Sequence, residues 1–311
     1  KHFSLYRGAE HCIPTYKELN ATVKYAHDHG VKVFITANMP FTADIIEKDW
    51  REHIVRCLEQ NVDALIVGDL GVLSIIRDIN PGVPLLASTY FCSMNREAAN
   101  FLKKLGFRRV ILERHLTIPE ISGIVENSEP EVEVFVHGAG CSNINVNCYL
   151  FHYRYPPLTK ALRDVDGFKN PCTLPFEIYD SRSNEKLGEA PILDAFTFCS
   201  ICHLPALVKA GVAGLKIVGR GDFIAFQEST TRIYRELLDL IGQDRVDEFY
   251  KKALELKKSF LPRPPMFANL EEVACEQKRC FYGPLFHAPY RTQLSWSAWL
   301  KYQFKVLEHR K

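Results

Sequence analysis

The sequence contains no stretch of roughly eighteen consecutive apolar residues, so nothing in it predicts a membrane-spanning helix. No apolar core of a signal peptide follows Lys1-His2-Phe3-Ser4. An excess of either charge is missing as well. The 39 Lys and Arg stand against 37 Asp and Glu, a formal net charge of +2, which by itself argues neither for nor against nucleic acid. The cysteines lack any familiar metal spacing. Cys141 and Cys148 have six residues between them, which is not a ferredoxin run, and the C-x2-C pair Cys199/Cys202 has no second knuckle of a zinc ribbon. Ten Cys without a secretory leader read as thiols or metal ligands in a reducing compartment rather than as a disulfide framework, so a cytoplasmic protein is expected.

What is present is the composition of a globular protein, 47% hydrophobic and 24% charged, with one unit repeated along it. A Gly-Val or Asn-Val entry leads into four to six apolar residues, then a polar residue and a stretch with helical spacing. The unit occurs at Gly30–Asn38, Asn61–Asp69, Gly82–Thr89, Gly106–Arg114, Glu131–Gly138 and Gly211–Arg220. Apolar residues at helical spacing fill Ile45–Leu58, Leu70–Ile79 and Arg96–Leu105. Strands alternating with helices predict a parallel sheet with βα crossovers. A further strand near Ile192–Thr197 makes seven, one short of a closed (β/α)8 TIM-like barrel. The expected fold is therefore such a barrel starting after its first unit, over residues 1–242 with an insert at about 152–190. A C-terminal helical and aromatic extension, 243–311, is expected to pack on it, beginning with an amphipathic helix at Arg245–Phe260.

The stretch Glu133–Phe151 is the most informative. A strand-like alternation runs to Val136 and breaks at Gly138 and Gly140, and two thiols, Cys141 and Cys148, follow. In a barrel the residues just after each strand share one rim, which holds the chemistry. That rim would carry Asn38, Asp69, Ser88, Arg114, His137, Cys141 and Arg220. Asp69 and Ser88 are more simply helix caps, whereas two Arg and a His beside thiols point to a site. Cys57 and Cys12 read as structural, and Cys92 is ambiguous. Cys141, Cys148, Cys172, Cys199 and Cys202 are candidate ligands for an iron–sulfur cluster or zinc, with Cys275/Cys280 as a further pair.

Glu133–Phe151 resembles the signature of peptidase family U32, the collagenase-like proteins, in which a strand passes through a His-Gly turn into two Cys seven apart. Ala64–Leu73, Pro84–Thr89, Leu105–Ile121 and Cys202–Arg220 are similar to further family blocks in the same order. The resemblance implies a βα-barrel and, in some branches, a 4Fe–4S cluster (with zinc as the alternative metal). The ligands carry over to Cys141, Cys148, Cys172 and Cys199. Arg114, His137 and Arg220 match family positions and are the implied catalytic residues. His115 and Val218 stand where the family usually has Glu, and the resemblance implies a chain that begins after the family's first unit.

Branches of the family resemble oxygen-independent hydroxylases of tRNA, of ribosomal RNA and of a quinone-ring precursor, the last as a paired complex, with prephenate as the suspected oxygen donor. The near-neutral charge and the short chain after the barrel favour a small anionic or aromatic substrate, prephenate-like, and disfavour nucleic acid. A homodimer or heterodimer fits the paired branch. The alternatives are an RNA base hydroxylase, a peptidase using Cys141 with His137, and a non-catalytic zinc- or cluster-bearing partner subunit.

Overall fold

The computed structural model describes residues 13, 15–38, 49–139, 144, 175–191, 197–219, 224–257 and 281–282. Its elements are α1 (Tyr16–Asp28), β1 (Phe34–Ala37), α2 (Arg51–Leu58), β2 (Ala64–Val67), α3 (Leu70–Ile79), β3 (Leu85–Ala87), α4 (Arg96–Lys104), β4 (Arg109–Ile111), α5 (Ile118–Asn127) and β5 (Glu131–Ala139). They continue with β6 (Pro175–Tyr179), β7 (Lys186–Pro191), β8 (Thr197–Cys199), α6 (Leu204–Lys209), β9 (Gly214–Ile217), α7 (Ile224–Gly242) and α8 (Val246–Lys257).

Local chemistry starts and stops these elements. Asp69 caps α3 by accepting from the Val72 amide at 2.9 Å, and α3 buries Val72, Leu73, Ile75 and Ile76 on one side. Thr117 and Glu120 form a reciprocal capping box at the start of α5, where Pro119 occupies the first turn and gives up no needed N–H.

The strands β1-β2-β3-β4-β5-β9 lie in chain order, every neighbouring pair parallel. β2, Ala-Leu-Ile-Val, is buried at all four positions, which is why it reads as an unbroken apolar run rather than an alternation. Its two faces differ. Leu65, Val67, Leu85, Ala87, Val110, Val132 and Val134 belong to the core that the helices cover. Ala64, Ile66, Leu86, Ile111 and Phe135 instead gather with Phe198 and Phe281 in a second cluster on the opposite face.

Six of the strands expected from the repeat are present. The seventh differs: it is Thr197–Cys199, and it runs antiparallel, pairing with His137–Ala139. The reason lies in β5, nine residues long beside neighbours of three and four. Its overhanging end leaves backbone groups to be paired, and a short strand from the opposite direction pairs them. Of the expected barrel starting after its first unit, the described residues show a mostly parallel seven-stranded sheet, in which no ladder links β9 to β1. Part of the expected insert is an antiparallel hairpin, β6–β7, whose turn is held by the Asp180 carboxylate accepting from the amides of Arg182 and Ser183 at 2.8 Å each. In α8, Phe249 and Ala253 join the main core. Among the described residues no helix is long and apolar enough to cross a membrane.

At the amino end of the sheet, Arg109 bridges Glu131 (2.8 Å) and Glu133 (3.1 Å), and Lys216 reaches Glu133 at 3.2 Å. Burial raises the Glu131 carboxyl, but hydrogen bonds from Arg109 and Arg108 outweigh it and leave it below its ordinary value. That stabilisation is complete above the ordinary carboxylate pKa and is lost as pH falls through the lowered one. Arg109→Met is expected to cost roughly 2–3 kcal/mol at neutral pH, less than orphaning a buried charge completely, because Lys216 remains. Urea denaturation should show the gap from wild type closing below about pH 4, where the carboxylates protonate. An equal gap at all pH values would show that the network contributes nothing through charge.

Candidate functional site

The carboxyl end of the sheet is shaped by one irregularity in β5. Its register with β9 shifts between Phe135 and His137, a bulge that redirects the strand. Phe135 packs in the inner cluster, while His137 packs against α7, its ring 5.8 Å from Phe226 and 5.6 Å from Tyr234. The Tyr234 hydroxyl donates to the Val136 carbonyl at 2.6 Å, lies 3.3 Å from His137 Nδ1 and accepts from the Ser200 amide at 3.3 Å. Burial pushes that hydroxyl well above its ordinary pKa, and charge on Cys199 would act in the same direction, so it keeps its proton.

Gly138 follows with φ +102, and a Cβ there would collide with the Val218 carbonyl oxygen. The Val218 amide donates to the His137 carbonyl at 2.8 Å. Only glycine fits a positive φ with a neighbouring backbone this close.

Across the ladder from His137 stands Cys199, a half-buried thiol outside any disulfide, with Cys202 exposed three positions on. The Phe281 amide donates to the Cys199 carbonyl at 3.4 Å, and the Phe281 ring packs 5.5 Å from Phe198 and 6.4 Å from Phe135. Over the other side of Phe135's surroundings comes Arg114, just past β4, its guanidinium carbon 3.8 Å from the centre of the Phe135 ring. Arg114 Nε and Nη1 are enclosed and have no hydrogen-bond partner among the described residues. Arg114, Phe135, Phe281 and Cys199 thus form one continuous chain of contacts.

The other rim residues behave as structure. Asp69 caps α3, and Ser88 accepts from the Tyr90 amide at 3.4 Å and from Asn38 Nδ2 at 3.3 Å. Cys57 is buried in the core and its thiol is pushed up to about 12 by burial. Burial, and then the charge of Glu113, raise Cys92. His115 is buried just beyond Arg114. Cys141, Cys148, Cys172, Arg220 and the pair Cys275/Cys280 lie outside the described residues. Among the described residues no group of three or more His, Cys, Asp or Glu assembles as a metal site.

Sequence reasoning missed Tyr234, and it named Phe281 and Tyr282 only among the aromatics of a C-terminal extension packing on the barrel. The face Phe226, Thr230, Ile233, Tyr234 and Leu237 of α7 does show helical spacing. That pattern marks Tyr234 as core and says nothing of where its hydroxyl goes.

A family model described as Peptidase family U32 matches residues 2–264. A 23S rRNA 5-hydroxycytidine synthase of Escherichia coli (strain K12) is 32% identical over 241 residues, which are 77% of this chain and 36% of that protein. An uncharacterized protease of Methanocaldococcus jannaschii is 30% identical over 250 residues, 78% of this chain and 60% of that one. A tRNA hydroxylation protein of Bacillus subtilis (strain 168) is 28% identical over 242 residues, 76% of each chain. The chain therefore spans about a third of the first relative and 60% of the second. A solved structure of a U32 peptidase aligns with TM-score 0.34 at 18% identity, over 40% of this chain and 54% of that chain.

The expectation of a small-molecule substrate in place of nucleic acid is overturned by these relatives, several of which are named for work on rRNA or tRNA. It rests on the short chain after the barrel and on net charge, which is a sum over a surface of many compensated pairs. Such a sum reports non-specific attraction to phosphates and is silent on how a single base is read.

Gly138→Ala is expected to destabilise the protein by at least about 3 kcal/mol, because a Cβ would enter the Val218 carbonyl at a positive φ. Urea denaturation measures the loss, and faster reaction of Cys199 with a thiol reagent would show where the sheet opens. Wild-type stability with alanine there would mean that β5 and Val218 do not touch in solution.

Proposed function

The chain belongs to peptidase family U32, and from that membership we propose that it is part of an enzyme hydroxylating a base in ribosomal or transfer RNA, with an iron–sulfur cluster at the carboxyl edge of its sheet. The observation that carries the reading is Arg114. A base that undergoes chemistry must leave its stack and enter a pocket, where edge hydrogen bonds and aromatic contacts read it. Arg114 lies over the Phe135 ring with two enclosed donors that no described residue engages. Those donors suit the carbonyl oxygens of an extruded pyrimidine. The relatives named for rRNA and tRNA hydroxylation support this direction.

The fit of a cluster is supported by Cys199, a half-buried thiol outside any disulfide at the same edge, opposite the strand from which Cys141 follows. In this reading Cys141, Cys148 and Cys172 supply the other three thiolates, the donor type that 4Fe–4S clusters take. The cluster, when bound, supplies electron transfer to the reaction. His137, directly across the ladder from Cys199, is the group that handles the proton. Arg220, which lies outside the described residues, would in this reading supply a second cation for an anionic group. The inner cluster of Ala64, Ile66, Leu86, Ile111, Phe135 and Phe198 supports a wall curled into a barrel with this edge as its mouth. An RNA substrate of this kind places the enzyme in the cytoplasm.

Anaerobic purification with iron, sulfide and zinc analysis tests the cluster. About four irons and four sulfides per chain are expected in wild type, with loss of both in Cys199→Ser. One zinc and no iron would sink the cluster reading. Nucleoside mass spectrometry of rRNA and tRNA from cells with and without the protein should show a hydroxylated pyrimidine that depends on it. Arg114→Ala is expected to keep its iron and lose activity on the order of 100-fold. Full modification by that variant would remove Arg114 from the site.

A further inference from the structure

Tyr234 lies where two strands and a helix meet. It is buried on α7, and its phenolic oxygen is within reach of three groups: the Val136 carbonyl at 2.6 Å, His137 Nδ1 at 3.3 Å and the Ser200 amide at 3.3 Å. A phenol has one proton to give and lone pairs to accept with. The Val136 carbonyl can only accept, so the shortest contact takes that one proton. The Ser200 amide can only donate, so it uses a lone pair. The contact with His137 is left with a single direction: the ring donates and the phenol accepts. A neutral imidazole that donates from Nδ1 has its basic lone pair on Nε2.

We infer that Tyr234 is a positioning residue, whose hydroxyl holds His137 as the Nδ1–H tautomer and leaves Nε2 as the ring's basic nitrogen. The same oxygen fastens the backbone on both sides of the site. Val136 immediately precedes His137, and Ser200 immediately follows Cys199. The ring faces of Phe226 and Tyr234 keep the imidazole in place while the hydroxyl sets its protonation pattern. The tautomer matters only if His137 handles a proton, so the inference deepens the proposed function and rests on it. The tautomer itself can be read without substrate.

The full-length chain labelled with 15N histidine gives the answer by NMR, with the His137 signals assigned from their disappearance in His137→Gln. The wild type should show Nδ1 protonated and Nε2 bare. Tyr234→Phe keeps the ring that packs on α7 and removes only the hydroxyl. In that variant His137 should shift to the Nε2–H form or to a mixture, and the Ser200 amide should exchange with solvent roughly tenfold faster, as expected for the loss of one such hydrogen bond. A space-filling role alone would leave both readouts unchanged. Nε2–H in the wild type, or an unaltered tautomer in a folded Tyr234→Phe protein, overturns the inference. Should Tyr234→Phe fail to fold, the wild-type tautomer still decides. An iron-free wild type that shows the Nδ1–H form would end the hydroxylase reading and leave the assignment of the tautomer standing.

Discussion

A strand that outruns its neighbours must find partners for the backbone groups it leaves over. β5 does so, and most of what is distinctive here follows from how its surplus is satisfied. Three consecutive carbonyls at its far end are each served from a different place. Phe135 accepts from the Tyr282 hydroxyl at 2.7 Å, Val136 from the Tyr234 hydroxyl at 2.6 Å, and His137 from the Val218 amide at 2.8 Å. The bulge opposite β9 is what releases this segment from an even ladder. Two phenols therefore replace main-chain donors, and both are pushed above their ordinary pKa by burial, so both keep the proton they donate. A donor that cannot ionise near neutral pH gives the end of β5 a fixed geometry.

The parts of the fold that were legible in the sequence are those whose signal is local. β2 and α3 show this well: Ala64–Val67 is an apolar run bounded by polar residues, and Leu70–Ile79 starts at an Asp whose side chain has a backbone amide to accept from. The direction of β8 was not legible. Three residues, Thr-Phe-Cys, carry no information on whether they pair parallel or antiparallel, and the choice is made by the free edge that β5 presents. The hairpin of β6 and β7 was hidden for a similar reason, since its strands hold Pro, Gly and Glu and its turn is held by short polar side chains, Asp180 and Ser183.

The site divides along the same line. His137 and Arg114 could be named from the sequence because His137 directly follows an apolar run and Arg114 follows one after a single Glu, the position that a βα unit gives to its rim. Tyr234 is 97 residues from His137, and Tyr282 is 147 residues from Phe135, whose carbonyl it serves. Contacts over such spans depend on the assembly of the whole sheet and leave no periodicity behind.

Two arginines, one at the start of β4 and one just past its end, differ in how their guanidinium groups are satisfied. Arg109, at the start of the strand, is saturated. It bridges both Glu131 and Glu133, and although burial alone would lower its pKa, those two carboxylates raise it. Arg114, five positions on, has no carboxylate within bridging distance among the described residues, and its guanidinium faces an aromatic ring. Enclosing guanidinium nitrogens without partners costs stability that a core would ordinarily shed by substitution. A cation–π contact of roughly 1–2 kcal/mol offsets only part of that cost. Among the described residues nothing accepts from the remaining donors, and that unspent hydrogen-bonding capacity is what supports reading this end of the sheet as the substrate's side.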